Sequence, residues 1–165
     1  MNELAGNLAG EHLIDSCYEK NFSLVRAYVN GGVSVDYRSP KNGDTPVQVL
    51  CLVNGPEILR YVLENGADAS LIGNGCTPLE MAVLNNRYEC IALLVEYNVA
   101  LDAVNSLGQT ALWYASSKGY LPIVELLVNA GADAKADNTG KTPLAAAAEN
   151  GHGAVAAFLT LDSID

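Results

Sequence analysis

Thiols, imidazoles and carboxylates are the groups in this chain that could do chemistry, and their spacing decides what they could do. The 165 residues hold four cysteines, Cys17, Cys51, Cys76 and Cys90, and two histidines, His12 and His152. No two cysteines stand as C-x-x-C, so the ligand spacing of a zinc site is missing. There is no G-x-x-x-x-G-K-[ST] phosphate loop, and the scattered Gly-x-Gly pieces follow no predicted strand. Asp68 and Asp133 recur at matching places, which reads as a turn feature rather than a general acid and base. A nucleophile, a base and an orienting group must be able to meet. Whether they can depends on the elements that carry them.

Those elements repeat. Gly43-Asp44-Thr45-Pro46, Gly75-Cys76-Thr77-Pro78, Gly108-Gln109-Thr110-Ala111 and Gly140-Lys141-Thr142-Pro143 place their threonines 32, 33 and 32 residues apart. A fixed period in this range marks a stack of units rather than one globular core. Thr can cap a helix N-terminus, and Pro at the next position is pre-set for the first turn. Nine residues after each threonine stands Asn54, Asn86, Gly119 or Gly151, a tight turn between two short helices. Thirteen residues after each threonine, Ile58, Cys90, Ile123 and Val155 open apolar runs with the face of a helix. Those runs stop at Gly66, Asn98 and Gly131, residue types that tolerate a left-handed helix end.

The phrases Thr77-Pro78-Leu79-Glu80-Met81-Ala82, Thr142-Pro143-Leu144-Ala145-Ala146-Ala147, Glu149-Asn150-Gly151-His152 and Gly131-Ala132-Asp133 resemble the ankyrin repeat, over roughly residues 11 to 161. The resemblance implies an all-α ankyrin-repeat solenoid of helix-turn-helix units with β-hairpin-like connecting loops. A degenerate first unit fits as well: Leu24-Val25-Arg26-Ala27-Tyr28-Val29 before Gly31-Gly32 matches the second helix, and the first helix falls at about Glu11 to Glu19. We expect a leader over 1–10 and a single domain over 11–165. Its five units cover about 11–40, 41–72, 73–105, 106–137 and 138–165, the two end units being caps. In a linear stack His12 and His152 lie far apart, so no catalytic site is expected. By resemblance His152 has a structural place in the Gly-His turn.

Composition narrows the partner. Lys and Arg number 9 against 19 Asp and Glu, a net charge of −10. This argues against nucleic acid, which needs clustered cations, and against anionic membranes. The acidic excess aids solubility, and a basic partner is compatible with it. No apolar run approaches the ~18–20 residues that span a bilayer, and the start lacks the basic region of a secretory signal. Cys17, Cys51 and Cys90 fall at core positions, while Cys76 sits on the hairpin side and is expected to be exposed. Free thiols suit a reducing intracellular compartment, cytoplasmic or nuclear. We expect a monomer with no cofactor and no metal.

In ankyrin stacks the concave face is built from hairpin tips and first helices. By resemblance, its variable positions lie four, three and one before each threonine, and seven and eight after. They are Lys41, Asn42, Asp44, Leu52 and Val53 in the second unit, and Gly73, Asn74, Cys76, Leu84 and Asn85 in the third. The fourth has Ser106, Leu107, Gln109, Ser117 and Lys118, and the fifth Asn138, Thr139, Lys141, Glu149 and Asn150. Leu71 and Val104 lie near the hairpins. Trp113 takes a slot that is His in many family members, and Tyr114 follows it. Apolar and aromatic residues here would form a partner-binding patch. The alternative is that they pack between neighbouring units.

Three functional readings follow. The first is a protein-binding module that uses this patch. The second is an inhibitor or regulatory subunit of an enzyme such as a protein kinase. The size resembles the small ankyrin inhibitors of cyclin-dependent kinases, and Thr45-Pro46-Val47-Gln48-Val49 with Gly55-Pro56-Glu57-Ile58 is similar to their second repeat. Those proteins have a shortened first helix there, whereas the interval from Thr45 to Ile58 is full length. The third reading is a spacer or a fragment of a larger protein.

Overall fold

The computed structural model describes residues 2–73, 75–135 and 141–162. Its helices are α1 (Asn2–Tyr18), α2 (Phe22–Asn30), α3 (Pro46–Val53), α4 (Pro56–Glu64), α5 (Pro78–Leu84), α6 (Tyr88–Glu96), α7 (Ala111–Lys118), α8 (Leu121–Asn129), α9 (Pro143–Glu149) and α10 (Gly153–Asp162). The first helices α1, α3, α5, α7 and α9 pack side by side as one layer. The second helices α4, α6, α8 and α10 form the other, and each pairs with its own first helix or with a neighbouring unit. Helix α2 packs on α1, and Phe22 meets Tyr61 of α4 edge-on at 5.4 Å.

The repeated phrase is scaffold. Thr45, Thr77, Thr110 and Thr142 are N-caps whose side chains accept from the backbone N–H three residues on, at 3.4, 3.1, 3.2 and 3.2 Å. Each cap satisfies a donor that has no intrahelical partner. Pro46, Pro78 and Pro143 open their helices. The turn positions have the expected backbone: Asn98 has φ 54°, between Gly66 at 88° and Gly131 at 95° in the same register. Gly119, at φ 72°, has a second constraint, since a Cβ there would lie 2.5 Å from the His152 ring.

Two expectations change. Helix α1 does not start near Glu11 but runs back to Asn2, through the stretch set apart as a leader. Gly10 is buried, with no room for a Cβ beside the Tyr37 ring, and Tyr37 Oη donates to the Asn7 carbonyl at 3.1 Å. The missing Thr-Pro left the start of this helix unmarked. The hairpins are also slighter than the resemblance implies. Among the described residues they reduce to two isolated bridges, Gly73 with Cys76 and Val104 with Thr110.

One apolar seam runs the length of the stack, from Leu13 through Leu50, Leu59, Ile91, Leu112 and Ile123 to Leu159. Cys17, Cys51 and Cys90 lie wholly within it. Polar ties cross the unit boundaries. Arg87 Nε donates to the Leu52 carbonyl at 3.1 Å, and His152 Nε2 lies 3.0 Å from the Ser117 carbonyl. Both residues stand ten after their threonine and reach back one unit. The Asp68 N–H donates to Asp36 Oδ1 at 2.7 Å, and the Asp133 N–H to Asp102 Oδ1 at 2.9 Å. The aspartates are therefore turn residues, each accepting from the chain two residues on (Ser70, Lys135).

Candidate functional site

In the second and third units the residue three after the threonine, in the first turn of its helix, reaches the next hairpin. Gln48 is 2% exposed, and its Nε2 donates to the carbonyls of Gly73 and Cys76, both at 2.9 Å. It thereby clips the second unit to the hairpin of the third. Glu80, also 2% exposed, does the same one unit on: Asn105 Nδ2 donates to Glu80 Oε1 at 2.5 Å. Asn105 in turn orders its own hairpin, its Oδ1 accepting from the backbone N–H of Leu107 and Gln109. Trp113 holds this position in the fourth unit. Its Nε1 is buried without a hydrogen-bond partner, and its ring meets Tyr114 edge-on at 5.4 Å.

Glu80 is the electrostatic centre. Burial pushes its carboxyl above the ordinary value, and the Asn105 amide, the Thr77 N–H and the Cys76 thiol pull it part of the way back. Oε2 is buried without a well-formed hydrogen bond. Tyr114 is raised by burial and by the Glu80 charge, with the Asn105 side chain opposing. Cys76 is raised by burial first and by Glu80 second. Cys76, Glu80, Asn105 and Tyr114 thus form one polar cluster where α5, α7 and the intervening hairpin meet. The raised thiol is a weak nucleophile, since the thiolate is the reactive form. Among the described residues, no three His, Cys, Asp or Glu come together as metal ligands.

The candidate positions divide. Leu107 stands free, 65% exposed. Leu52, Leu84, Leu71 and Trp113 are half-buried, with edges open to solvent. Val53 and Tyr114 pack against the core, as the alternative reading has it, and Val104 is half-buried where its backbone bridges to Thr110. Cys76 is half-buried rather than exposed, because Glu80 and the hairpin close over it. Asp44 is buried, accepting from the Tyr18 hydroxyl and from Asn42 Nδ2. Lys41 is exposed and paired with Glu11. Lys118 is exposed, while Asn85 and Gln109 are half-buried. Asn85 Nδ2 donates to the Met81 carbonyl at 2.8 Å, and Gln109 Oε1 is buried without a partner. In the fifth unit Lys141 pairs with Glu149 at 2.7 Å. Asn74, Asn138 and Thr139 lie outside the described residues.

Sequence reasoning missed Gln48, Glu80 and Arg87 as links between units. The first two carry a readable signal: Thr-x-x-Gln and Thr-x-x-Glu have the capping-box spacing. Here the side chains serve the next hairpin as well as their own helix.

Comparison with known proteins agrees with this architecture. A family model described as ankyrin repeats (3 copies) matches residues 13–105 and 98–165. The B-cell lymphoma 3 protein homolog of Mus musculus is 33% identical over 145 residues, 86% of this chain and 32% of that protein. The NF-kappa-B inhibitor alpha of Sus scrofa is 38% identical over 99 residues, 56% of this chain and 32% of that protein. The ankyrin repeat domain-containing protein 63 of Mus musculus is 37% identical over 113 residues, 62% of this chain and 28% of that protein. The chain thus spans about a third or less of the length of these relatives. With its capped helix pairs, left-handed turns and continuous seam, the chain belongs to the ankyrin-repeat family.

Proposed function

We propose that the chain is a non-catalytic protein-binding module that takes its partner on the first-helix face of units two to four. The observation that carries this reading is the row Leu52, Leu84, Leu107 and Trp113. These side chains keep exposed surface at positions the caps, turns and seam leave free. Apolar and aromatic groups concentrated on one face are what a desolvated contact patch needs. The partner is a protein, not nucleic acid or membrane, and the chain works as a monomer. No helix among the described residues is long and apolar enough to cross a membrane. Four free cysteines fit a reducing cytoplasmic or nuclear setting.

The test is the triple variant Leu52→Ser, Leu84→Ser and Trp113→Ser in affinity capture from the source cell. Capture should fall while thermal unfolding stays close to that of the parent. Unchanged capture by a folded triple variant refutes the reading. A narrower reading is that binding inhibits the partner, as the name NF-kappa-B inhibitor alpha says of that relative. A protein kinase is one such enzyme, and absence of any complex in a kinase-binding panel removes it.

A further inference from the structure

The opposite face of the stack carries a second feature. Eleven residues after their threonines, Pro56, Tyr88 and Leu121 are the first residues of α4, α6 and α8, and Phe22 opens α2. One apolar row therefore runs along the starts of the second helices. Between units one and three it borders a groove of about 620 Å³, floored by Phe22, Pro56, Tyr88 and Leu93. That volume lies within the roughly 300–1,000 Å³ of clefts that hold small ligands, enough for one or two anchoring side chains of a longer segment. Tyr88 is 43% exposed, the most open tyrosine of the described residues. The floor continues past Phe22 and Pro56 to Ile58 and ends at Lys20.

The rim is acidic. Glu57 and Glu89 are exposed and lie in the first turns of α4 and α6, where the helix dipole favours a carboxylate. The Arg60 guanidinium is already matched, its two terminal nitrogens each 3.0 Å from a Glu96 oxygen. Neither Glu57 nor Glu89 has an ion-pair partner among the described residues. An aromatic and proline floor beside two unmatched carboxylates complements one kind of occupant.

We infer that this groove is a second docking surface, which takes a short extended peptide segment with an apolar Leu or Pro anchor beside an Arg or Lys. The anchor rests on Phe22, Pro56 and Tyr88, and the cation lies between Glu57 and Glu89. Aromatic-lined grooves suit extended proline-bearing segments, whose ordering cost is small. The acidic rim sets orientation and makes binding salt-dependent.

The probe is a labelled nine-residue peptide with a Leu-Pro-Leu core flanked by arginines, read by fluorescence anisotropy on the full chain. Its counterpart carries glutamates in place of the arginines. The arginine peptide should bind at least about tenfold tighter than the glutamate peptide, and lose about tenfold with Glu57→Gln plus Glu89→Gln. Tyr88→Ala should weaken it similarly. The glutamines are exposed and leave the fold intact, so they keep the test valid if the tyrosine variant unfolds. Amide shifts in a heteronuclear NMR titration should centre on Tyr88, Ala92 and Leu93. The inference is overturned by equal binding of the two peptides, by insensitivity to the glutamine pair, or by no binding at millimolar peptide. It is also overturned by shifts centred on Leu84 and Trp113, or by self-association through this groove in sedimentation. It stands apart from the first-helix face, because the triple variant there leaves the groove untouched.

Discussion

Replacing Glu80 with Gln should stabilise the protein, and the gain should grow with pH. Glu80 is 2% exposed and receives one well-formed hydrogen bond, from Asn105. Burial outweighs the groups that favour its charge, so the folded carboxyl lies above its ordinary value. For a carboxyl raised in this way, the folded state holds a proton that the unfolded chain has released. Stability is therefore highest below the unfolded value and falls as pH rises through the folded one. An amide carries no such cost. Gln48 shows what it can do in the same register, donating to two carbonyls of the next hairpin. The hairpin positions that match Gly73 and Cys76 are Asn105 and Gln109, since the Asn105 N–H donates to the Gln109 carbonyl as the Gly73 N–H does to that of Cys76. The amide still accepts from Asn105, losing some charge assistance but replacing a buried oxygen that has no well-formed hydrogen bond. An unsatisfied buried group costs about 1–3 kcal/mol, so Glu80→Gln should gain about 1–2 kcal/mol at pH 7. Urea unfolding of both proteins from pH 4 to 8 measures the difference, and subtraction cancels the other titrating groups. The gap should open from the mid-4s upward. A pH-independent gap, or a less stable variant at pH 7, refutes the account of Glu80 as a strained link.

Other perturbations probe other parts. Thr110→Ala, at the one threonine cap not followed by Pro, should cost about 1 kcal/mol in chemical denaturation because the Trp113 N–H loses its acceptor. Gly119→Ala meets both a left-handed backbone and the His152 ring and should cost about 2 kcal/mol or more. Adding His152→Ala should recover only the steric part. Burial pushes Cys17 up to about 12 and Cys90 to about 11. In the native state at pH 8 a thiol reagent followed by mass spectrometry should reach Cys76 first. The other three should react at the rate of unfolding. Above the ordinary thiol value the unfolded chain releases protons that the fold retains, so these two thiols should lower stability as pH rises from about 9.

The frame was legible because it is local. A threonine cap, a proline in the first turn and a Gly or Asn at a left-handed turn act within one unit, so four copies in register identify them. The start of α1 was not legible, since the contact that holds it, Gly10 against Tyr37, joins residues 27 apart with no repeated phrase. The links between units were hidden for the same reason. Nothing in Thr45-Pro46-Val47-Gln48 says that the amide will find Gly73. Positions taken as free divided according to their neighbours. Asp44 was claimed by Tyr18 of the preceding unit, whereas the Leu107 side chain stays 65% exposed. Period predicts which face a side chain is on, and only the packing of two units decides how much of it stays open.

The groups three residues after Thr45, Thr77 and Thr110 are chemically unlike: an amide and a carboxylate that reach the next hairpin, and an indole whose Nε1 finds no partner. Each junction therefore has its own identity. Swapping units two and three by recombination would part Gln48 from the Gly73 and Cys76 carbonyls, because that hairpin travels with unit three. A chain that slipped by one period would lose the same contact. The repeat that makes the sequence look interchangeable is thus edited at its seams, and that editing fixes the order of the units.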